Sequence, residues 1–170
     1  MSGKTAFIDL DGTVCNSEKR FEQAWQKGRL DWKIAFHPPL LELDELIAGT
    51  EAVLEGFERE GWQIVFLSSR PESLRRATKE WLKRHQLLHG QSGERRLILK
   101  PSNHRLTNTP KWKADIVCAA GLNLSEVLVV DDAGENLLAI KGLWRAKGLN
   151  RAGLTTYKSF ELAPKPDIQA

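Results

Sequence analysis

Four short apolar runs, each closed by polar residues, constrain the fold of this chain more than any other feature. Ala6-Phe7-Ile8 runs into Asp9 and Ile64-Val65-Phe66-Leu67 into Ser68-Ser69-Arg70. Leu97-Ile98-Leu99 runs into Lys100, and Val127-Leu128-Val129-Val130 into Asp131-Asp132. Unbroken rather than alternating apolarity marks strands covered on both faces of a parallel sheet. Helical patterns separate the runs. Thr50 is placed to cap a helix bearing Val53, Leu54 and Phe57, which Gly61 ends. Pro71 suits a first helical turn, followed by a stripe of Leu74, Ala77, Trp81 and Leu88. Thr109-Pro110 opens another helix, with Ile116 and Val117 inward and Gly121 at its end. Glu135 to Lys147 reads as a helix carrying Leu138, Ile140 and Trp144, and Leu154 to Tyr157 as a last strand. Strand and helix in alternation predict an α/β fold, a Rossmann-like open parallel sheet with helices on both faces. Such sheets bind ligands at the carboxyl ends of their strands, so the four polar ends are expected to converge on one site.

Between Val14 and Gly49 the pattern changes. Phe21, Ala24 and Trp25 suggest a short helix, and a loop follows through Trp32, Phe36 and His37-Pro38-Pro39. Residues of about 16–49 therefore read as a small helical cap inserted over the site. The expected organisation is one domain over 1–160 and a flexible tail over 161–170, where Leu162-Ala163-Pro164-Lys165-Pro166 lies. With 170 residues, 41% of them hydrophobic, the chain has enough material for one real core. Cys15 and Cys118 make neither a disulfide framework nor a CxxC pair. No apolar signal region precedes the first run, and no run approaches membrane-span length. A soluble, reducing, cytoplasmic setting is the expectation; the oligomeric state is not readable.

The chemistry concentrates in Asp9-Leu10-Asp11-Gly12-Thr13. Alternate side chains of a strand share a face, so both carboxylates are expected to project together where the strand ends. Gly12 permits a sharp reversal there. Two close anions repel unless a cation or a shared proton relieves them, which suits a hard metal ion and a nucleophile with a neighbouring acid/base. Competing readings are weaker. Cys15 has no arginine-rich phosphate loop around it and reads as a bystander thiol. His85 and His89 are spaced to share a helix face but lack a third ligand, so they read as a surface pair. Gly3-Lys4-Thr5 imitates the end of a phosphate-binding loop without the upstream glycine and on the wrong side of the strand.

Taken together, these residues resemble the haloacid dehalogenase (HAD) superfamily of phosphotransferases, over about residues 5–150. Asp9-Leu10-Asp11-Gly12-Thr13 matches its first motif, Ser68 its second, Lys113 its third and Val130-Asp131-Asp132 its fourth. Leu67-Ser68-Ser69-Arg70 and Lys111-Trp112-Lys113-Ala114-Asp115-Ile116-Val117 are most similar to the 3′-phosphatase domain of phage-type polynucleotide kinase–phosphatases. Ser69 departs from that subgroup, which often has glycine there, and no kinase accompanies the chain. The resemblance implies Asp9 as nucleophile, forming an aspartyl-phosphate, and Asp11 as acid/base. It implies Mg2+ held by the Asp9 carboxylate, the Asp11 backbone carbonyl and Asp131, with Asp132 supporting or replacing Asp131. Helix capping is the ordinary alternative for Asp131-Asp132. Ser68, Ser69 and the first-motif residues Gly12 and Thr13 would grip phosphoryl oxygens. Arg70 would reach phosphate or ribose, or else pair with a helix end. Lys113 would bring positive charge to the phosphate and Asp9, a role contested by Lys100 and Lys111.

Two hints bear on substrate. Residues 91–113 carry Arg95, Arg96, Lys100, Arg105, Lys111 and Lys113 against the single acid Glu94, with His104 and Trp112 interleaved. Arg75, Arg76, Lys79, Lys83 and Arg84 precede them, and Arg20, Lys27, Arg29 and Lys33 surround Trp25 and Trp32. Such residues attract polyanions or merely form a solvated face. Exposed aromatics stack on unpaired bases, but large aromatics are mostly buried, so Trp25, Trp32 and Trp112 are expected in the core. The short cap leaves a site open to a chain end. The expected partner is a phosphorylated nucleic-acid end or a nucleotide, with no membrane. A 3′-phosphatase stands first, a nucleotidase or other small-molecule phosphatase second, and an idle binding module on the same fold third.

Overall fold

A computed structural model describes residues 3–91, 93–101, 108–149 and 153–159; the tail after 160, and His104 and Arg105, lie outside them. Five strands form one parallel sheet: β1 (Gly3–Ile8), β2 (Trp62–Pro71), β3 (Arg96–Lys100), β4 (Leu124–Val130) and β5 (Gly153–Tyr157). Their order is β5-β4-β1-β2-β3. The chain steps outward from β1 through β2 to β3, then returns to the other side of β1 for β4 and β5. That reversal makes the mouth of β1 the switch point at which open sheets bind ligands.

Each unbroken apolar run divides by parity between two cores. Ala6, Ile8, Ile64, Phe66, Leu128 and Val130 face α3 (Thr50–Arg59) and α4 (Arg75–Arg84), whose Leu54, Phe57, Trp81 and Leu82 pack on them. Phe7, Val65, Leu67, Val127 and Val129 face α5 (Thr109–Gly121) and α6 (Gly134–Ala146), through Trp112, Val117, Ile140 and Trp144. Register aligns the parities across the sheet, with Phe7 opposite both Val129 and Val65.

Several local expectations change. Gly49 (φ +83°), not Thr50, occupies the cap of α3, and the Thr50 hydroxyl donates to the Ile47 carbonyl at 2.7 Å. Pro71 closes β2, and a 3-10 turn, Glu72–Leu74, leads into α4. Leu138 is 71% exposed, because α6 packs through Leu137, Ile140 and Trp144 at i, i+3 and i+7. Ile116 is half-buried, while Val117 is fully buried. His85 lies just past α4 against Trp81, ring centroids 4.3 Å apart, and His89 pairs with Glu94 in a hairpin, so they share no helix face.

The segment after β1 leaves and returns together, since Cys15–Asn16 pairs antiparallel with Glu45–Leu46. It holds α1 (Glu18–Ala24), α2 (Trp32–Ala35) and a 3-10 turn over Pro38–Leu43. A hairpin joins Trp25–Gln26 to Arg29–Leu30, turned by Lys27 (φ +50°) and Gly28 (φ +76°). The expected loop through Trp32 is thus helical, and Asp31 caps it by accepting from the Lys33 and Ile34 amides. Trp25 and Trp32, expected inside, are 60% and 57% exposed, whereas Trp112 is buried. No helix among the described residues is long and apolar enough to cross a membrane.

Buried Arg95 ties the start of β3 to α3. It donates to Glu58 Oε1 and Oε2 (2.8 and 2.9 Å) and to the Leu87 carbonyl (3.1 Å). Arg95 and the Gln91 amide outweigh burial and hold the Glu58 carboxyl below its ordinary value. The pair therefore stabilises the fold above the ordinary carboxylate range, and this contribution fades as pH falls through the lowered value. Glu58→Ala is expected to cost about 3 kcal/mol at pH 7 in urea denaturation, a deficit that shrinks below about pH 4. A loss that does not vary with pH would contradict the pairing.

Candidate active site

Strand parity delivers the polar ends to their places. The Asp9 amide still donates to the Val130 carbonyl (2.9 Å), so Asp9 takes the position after Phe7 on the α5 face. Asp131 does the same after Val129, its amide donating to the Tyr157 carbonyl at 3.1 Å. Lys113 of α5, 2% exposed, donates to Asp9 Oδ1 (2.8 Å) and Asp131 Oδ2 (2.6 Å). Asp131 also accepts from the Ala133 amide (3.0 Å) and from Asn136 Nδ2 (2.9 and 3.0 Å), which fixes both of its oxygens. The Asp132 amide donates to Thr13 Oγ1 at 3.1 Å. Carboxylate oxygens of Asp9, Asp131 and Asp132 all lie within 4.8 Å of one another. Three hard oxygen donors against one ammonium fit a divalent cation such as Mg2+.

Burial pushes the Asp9 carboxyl up; Lys113 opposes this, and Asp131 and Asp11 reinforce it. Burial also works against the Lys113 ammonium, but Asp9 and Asp131 together outweigh it and hold the lysine charged.

Asp11 takes different partners from Asp9. β1 stops at Ile8, so strict alternation no longer applies, and Gly12 (φ +82°) turns the chain. Arg70 donates to Asp11 Oδ2 and Oδ1 (3.0 and 2.6 Å), Arg20 contacts Oδ1, and the Ser17 hydroxyl donates to it at 2.7 Å. Behind them, Asp44 accepts from Arg20 Nε (2.7 Å) and Arg70 Nη2 (2.6 Å). Both guanidiniums and Asp44 are fully buried and Asp11 is largely so, and the two carboxylates and two cations compensate one another. Burial disfavours the charge of Asp11, yet Arg70 first, then Arg20 and Ser17, hold its carboxyl well below the usual range. In this arrangement Asp11 is an ionised acceptor. Cys15 lies in the same cluster, accepting from Arg70 Nη2 at 3.3 Å; burial and Asp11 push its thiol up, which leaves it protonated and inert.

The other nominated residues spread around this centre. Ser68 is fully buried, its Oγ accepting from the Arg70 amide at 3.2 Å, and Ser69 lies in the adjoining cleft. Lys100 donates to Thr109 Oγ1 (3.1 Å), and exposed Lys111 pairs with Asp115 (3.0 Å), whereas Lys113 is the lysine at Asp9. A Cβ on Gly12 would collide with the Asp132 carboxylate, so the absent side chain makes room for it.

The charge clusters named from sequence are thinned, while Lys27, Arg29, Lys33, Lys83 and Arg96 stay exposed. Arg20, Arg95 and Lys113 are buried; Arg75 pairs with Glu72, Arg76 with Glu80, Lys79 with Glu94 and Arg84 with Glu42. Counting charges along the chain does not show which of them a distant acid meets, as Glu94 meets Lys79 and Glu42 meets Arg84.

No protein-family model matches this chain, and no curated protein matches it. Solved structures do. A chain of the Pnkp1/Rnl/Hen1 RNA repair complex aligns with TM-score 0.61 and 18% identity, over 94% of this chain and 43% of that one. This chain thus spans less than half of that protein. The HAD domain of the Legionella pneumophila effector Lem4 aligns with TM-score 0.57 and 16% identity, over 98% and 88% of the two chains. A predicted phosphatase from Clostridium acetobutylicum aligns at 0.57 and 12%, over 95% and 90%.

The fold is that of the HAD superfamily.

Against the HAD frame, Arg20, Asp44, Ser17 and Asn136 were not nominated as site residues from sequence. Arg20 is read there as one more surface charge, but α1 turns Arg20 and Ala24 inward at i and i+4, leaving Phe21 half-buried. Asn136 had a weak signal, standing one helical turn beyond the Asp131-Asp132 pair. Asp44 had none.

Arg70→Ala is expected to lower stability by about 3 kcal/mol, because Asp11 and Asp44 would share Arg20 alone. Near-native stability in denaturation would show that this cluster carries little of the compensation assigned to it.

Proposed function

We propose that the chain is a Mg2+-dependent phosphomonoester hydrolase acting on 3′-phosphorylated nucleic-acid ends through an aspartyl-phosphate on Asp9. The observation that carries this reading is the Lys113 ammonium between Asp9 and Asp131, with Asp132 alongside, at the mouth of the central strand. Likeness to a chain of an RNA repair complex supports the substrate class.

Asp9, Asp131 and Asp132 would hold the cation, together with the Asp11 carbonyl. When bound, Mg2+ neutralises phosphoryl oxygens and orients in-line attack. An Asp9 carboxylate oxygen attacks phosphorus, the P–O bond to the 3′ carbon's oxygen breaks, and the departing alkoxide takes a proton. Asp11 is assigned that proton transfer. Two guanidiniums hold it ionised at rest, so Asp11 first takes a proton from solvent as one of these contacts is exchanged for the leaving oxygen, and then passes that proton on. Water then attacks the acyl phosphate, Asp11 takes its proton, and inorganic phosphate leaves with Asp9 restored. Lys113 keeps positive charge at Asp9 and the transferring group, while Ser68, Ser69 and the Gly12-Thr13 turn enclose phosphoryl oxygens.

A nucleotidase is the second reading, favoured by one observation. The basic side chains that would attract a long polyanion are largely buried or paired with acids.

Phosphate release with Mg2+ from a 3′-phosphorylated oligonucleotide, its 5′-phosphorylated twin and a 3′-mononucleotide separates these readings. The 3′-oligonucleotide is expected to be preferred; preference for the mononucleotide makes the protein a nucleotidase. Asp9→Asn is expected to abolish turnover with the fold intact, and substantial residual activity would exclude the covalent route. Lys113→Ala is expected to lower kcat by about a thousandfold, with electrostatic stabilisation as the lost effect. Gly12→Ala, which displaces Asp132, is expected to weaken Mg2+ binding by about tenfold in calorimetric titration, with unchanged affinity counting against Asp132 as a ligand.

A further inference from the structure

At the carboxyl ends of β2 and β3, where Ser69 and Lys100 stand, lies a cleft of about 580 Å³. The cap contributes Trp32, Lys33 and Phe36; the sheet side contributes Ser69, Lys100 and Thr109, among others. Three of its properties point to one kind of occupant.

The first is a flat aromatic wall. Trp32 stacks on Phe36 with ring centroids 5.4 Å apart and planes 26° apart, and the edge of Phe21 braces it at 6.2 Å and 78°. Although braced by two rings, Trp32 keeps 57% of its surface in solvent. A large ring fixed by its neighbours and left half open is already organised to stack on another ring, with little ordering entropy left to lose. The second is charge. Lys33 and Lys100 line the cleft and, among the described residues, no carboxylate does, so it favours an anionic guest. The third is position. Ser69 lines the cleft and follows Ser68 in the strand-end segment assigned to the phosphoryl group, so the cleft opens where a leaving group would lie. Its volume falls within the range of pockets that enclose small organic ligands.

We infer that this cleft seats the nucleoside that carries the scissile phosphate, with its base stacked on Trp32 and its phosphodiester or phosphate charge met by Lys33 and Lys100. The inference rests on the phosphatase reading and narrows it. Trp32 is then a specificity-determining residue, contributed by the cap rather than by the sheet. A single stacked base also explains how a nucleic-acid end is recognised without a broad basic surface.

The test compares a 3′-phosphorylated oligonucleotide, the same oligonucleotide with an abasic 3′-terminal residue, and ring-free acetyl phosphate, all with Mg2+. For the native protein, KM on the abasic substrate is expected to exceed KM on the intact one by about tenfold, with kcat little changed. Trp32→Ala is expected to bring this KM ratio close to one, and Trp32→Phe to restore part of it. An unchanged ratio in Trp32→Ala, or a native ratio near one, overturns the inference. Hydrolysis of acetyl phosphate alone overturns it too, while leaving the phosphatase chemistry standing. Should all three substrates fail, the phosphatase reading falls, and binding decides the cleft independently. Titration with a nucleoside 3′-monophosphate is expected to quench tryptophan fluorescence in the native protein and much less in Trp32→Phe. Equal quenching in both, or none in either, overturns the cleft assignment.

Discussion

Two carboxylates held two residues apart in the chain must be kept from repelling each other, and most of the site follows from how that is done. Asp9 and Asp11 are handed to cations on different elements. Lys113 on α5 meets Asp9 and Asp131, while Arg70 at the end of β2 and Arg20 on α1 meet Asp11 and Asp44. Leu10, between them, is fully buried in the core. Neither cluster is local. The lysine cluster closes only when β1, β4 and α5 have met, and the arginine cluster only when the cap has met the end of β2, so the charges act as fasteners on the packing and depend on it in turn.

Compensation on the two sides differs in kind. The arginine side is a balanced set, two guanidiniums with two carboxylates, buried except for the partly exposed Asp11. On the lysine side, one ammonium faces three carboxylates, one of them exposed, and the imbalance is what a divalent cation would relieve. The cap is bound into the arginine side through Arg20 and Asp44, which couples its position to Asp11. It also carries the exposed Trp32 over the cleft next to Ser69. A small insertion therefore touches both the Asp11 cluster and the wall of that cleft.

Expectations drawn along the sequence succeed where short-range periodicity governs and fail where distant groups meet. All five strands and the helices that cover them follow from apolar runs and helical stripes, and the continuous runs sort into two cores because side chains alternate. Leu138 fails because a stripe read from composition does not fix the rotation of α6. Trp25 and Trp32 fail because burial by residue type is only a tendency. Arg20 fails in the opposite sense, since a basic residue beside aromatics looks solvated until Asp11 and Asp44 are placed around it.

The sequence by itself determined the strand ends and the acidic pairs, because each depends on a few neighbouring residues and on the two-residue and 3.6-residue repeats of backbone structure. Tertiary structure decided which charges meet. Lys113 was separated from Lys100 and Lys111 by which of them α5 and β3 bring to Asp9. Asp11 was turned from Asp9's side to the arginines by the end of β1, and Arg84 and Arg95 were brought to Glu42 and Glu58, acids far along the chain. Charge interactions act through space over a few ångströms, and neighbours at that distance are set by packing rather than by sequence order.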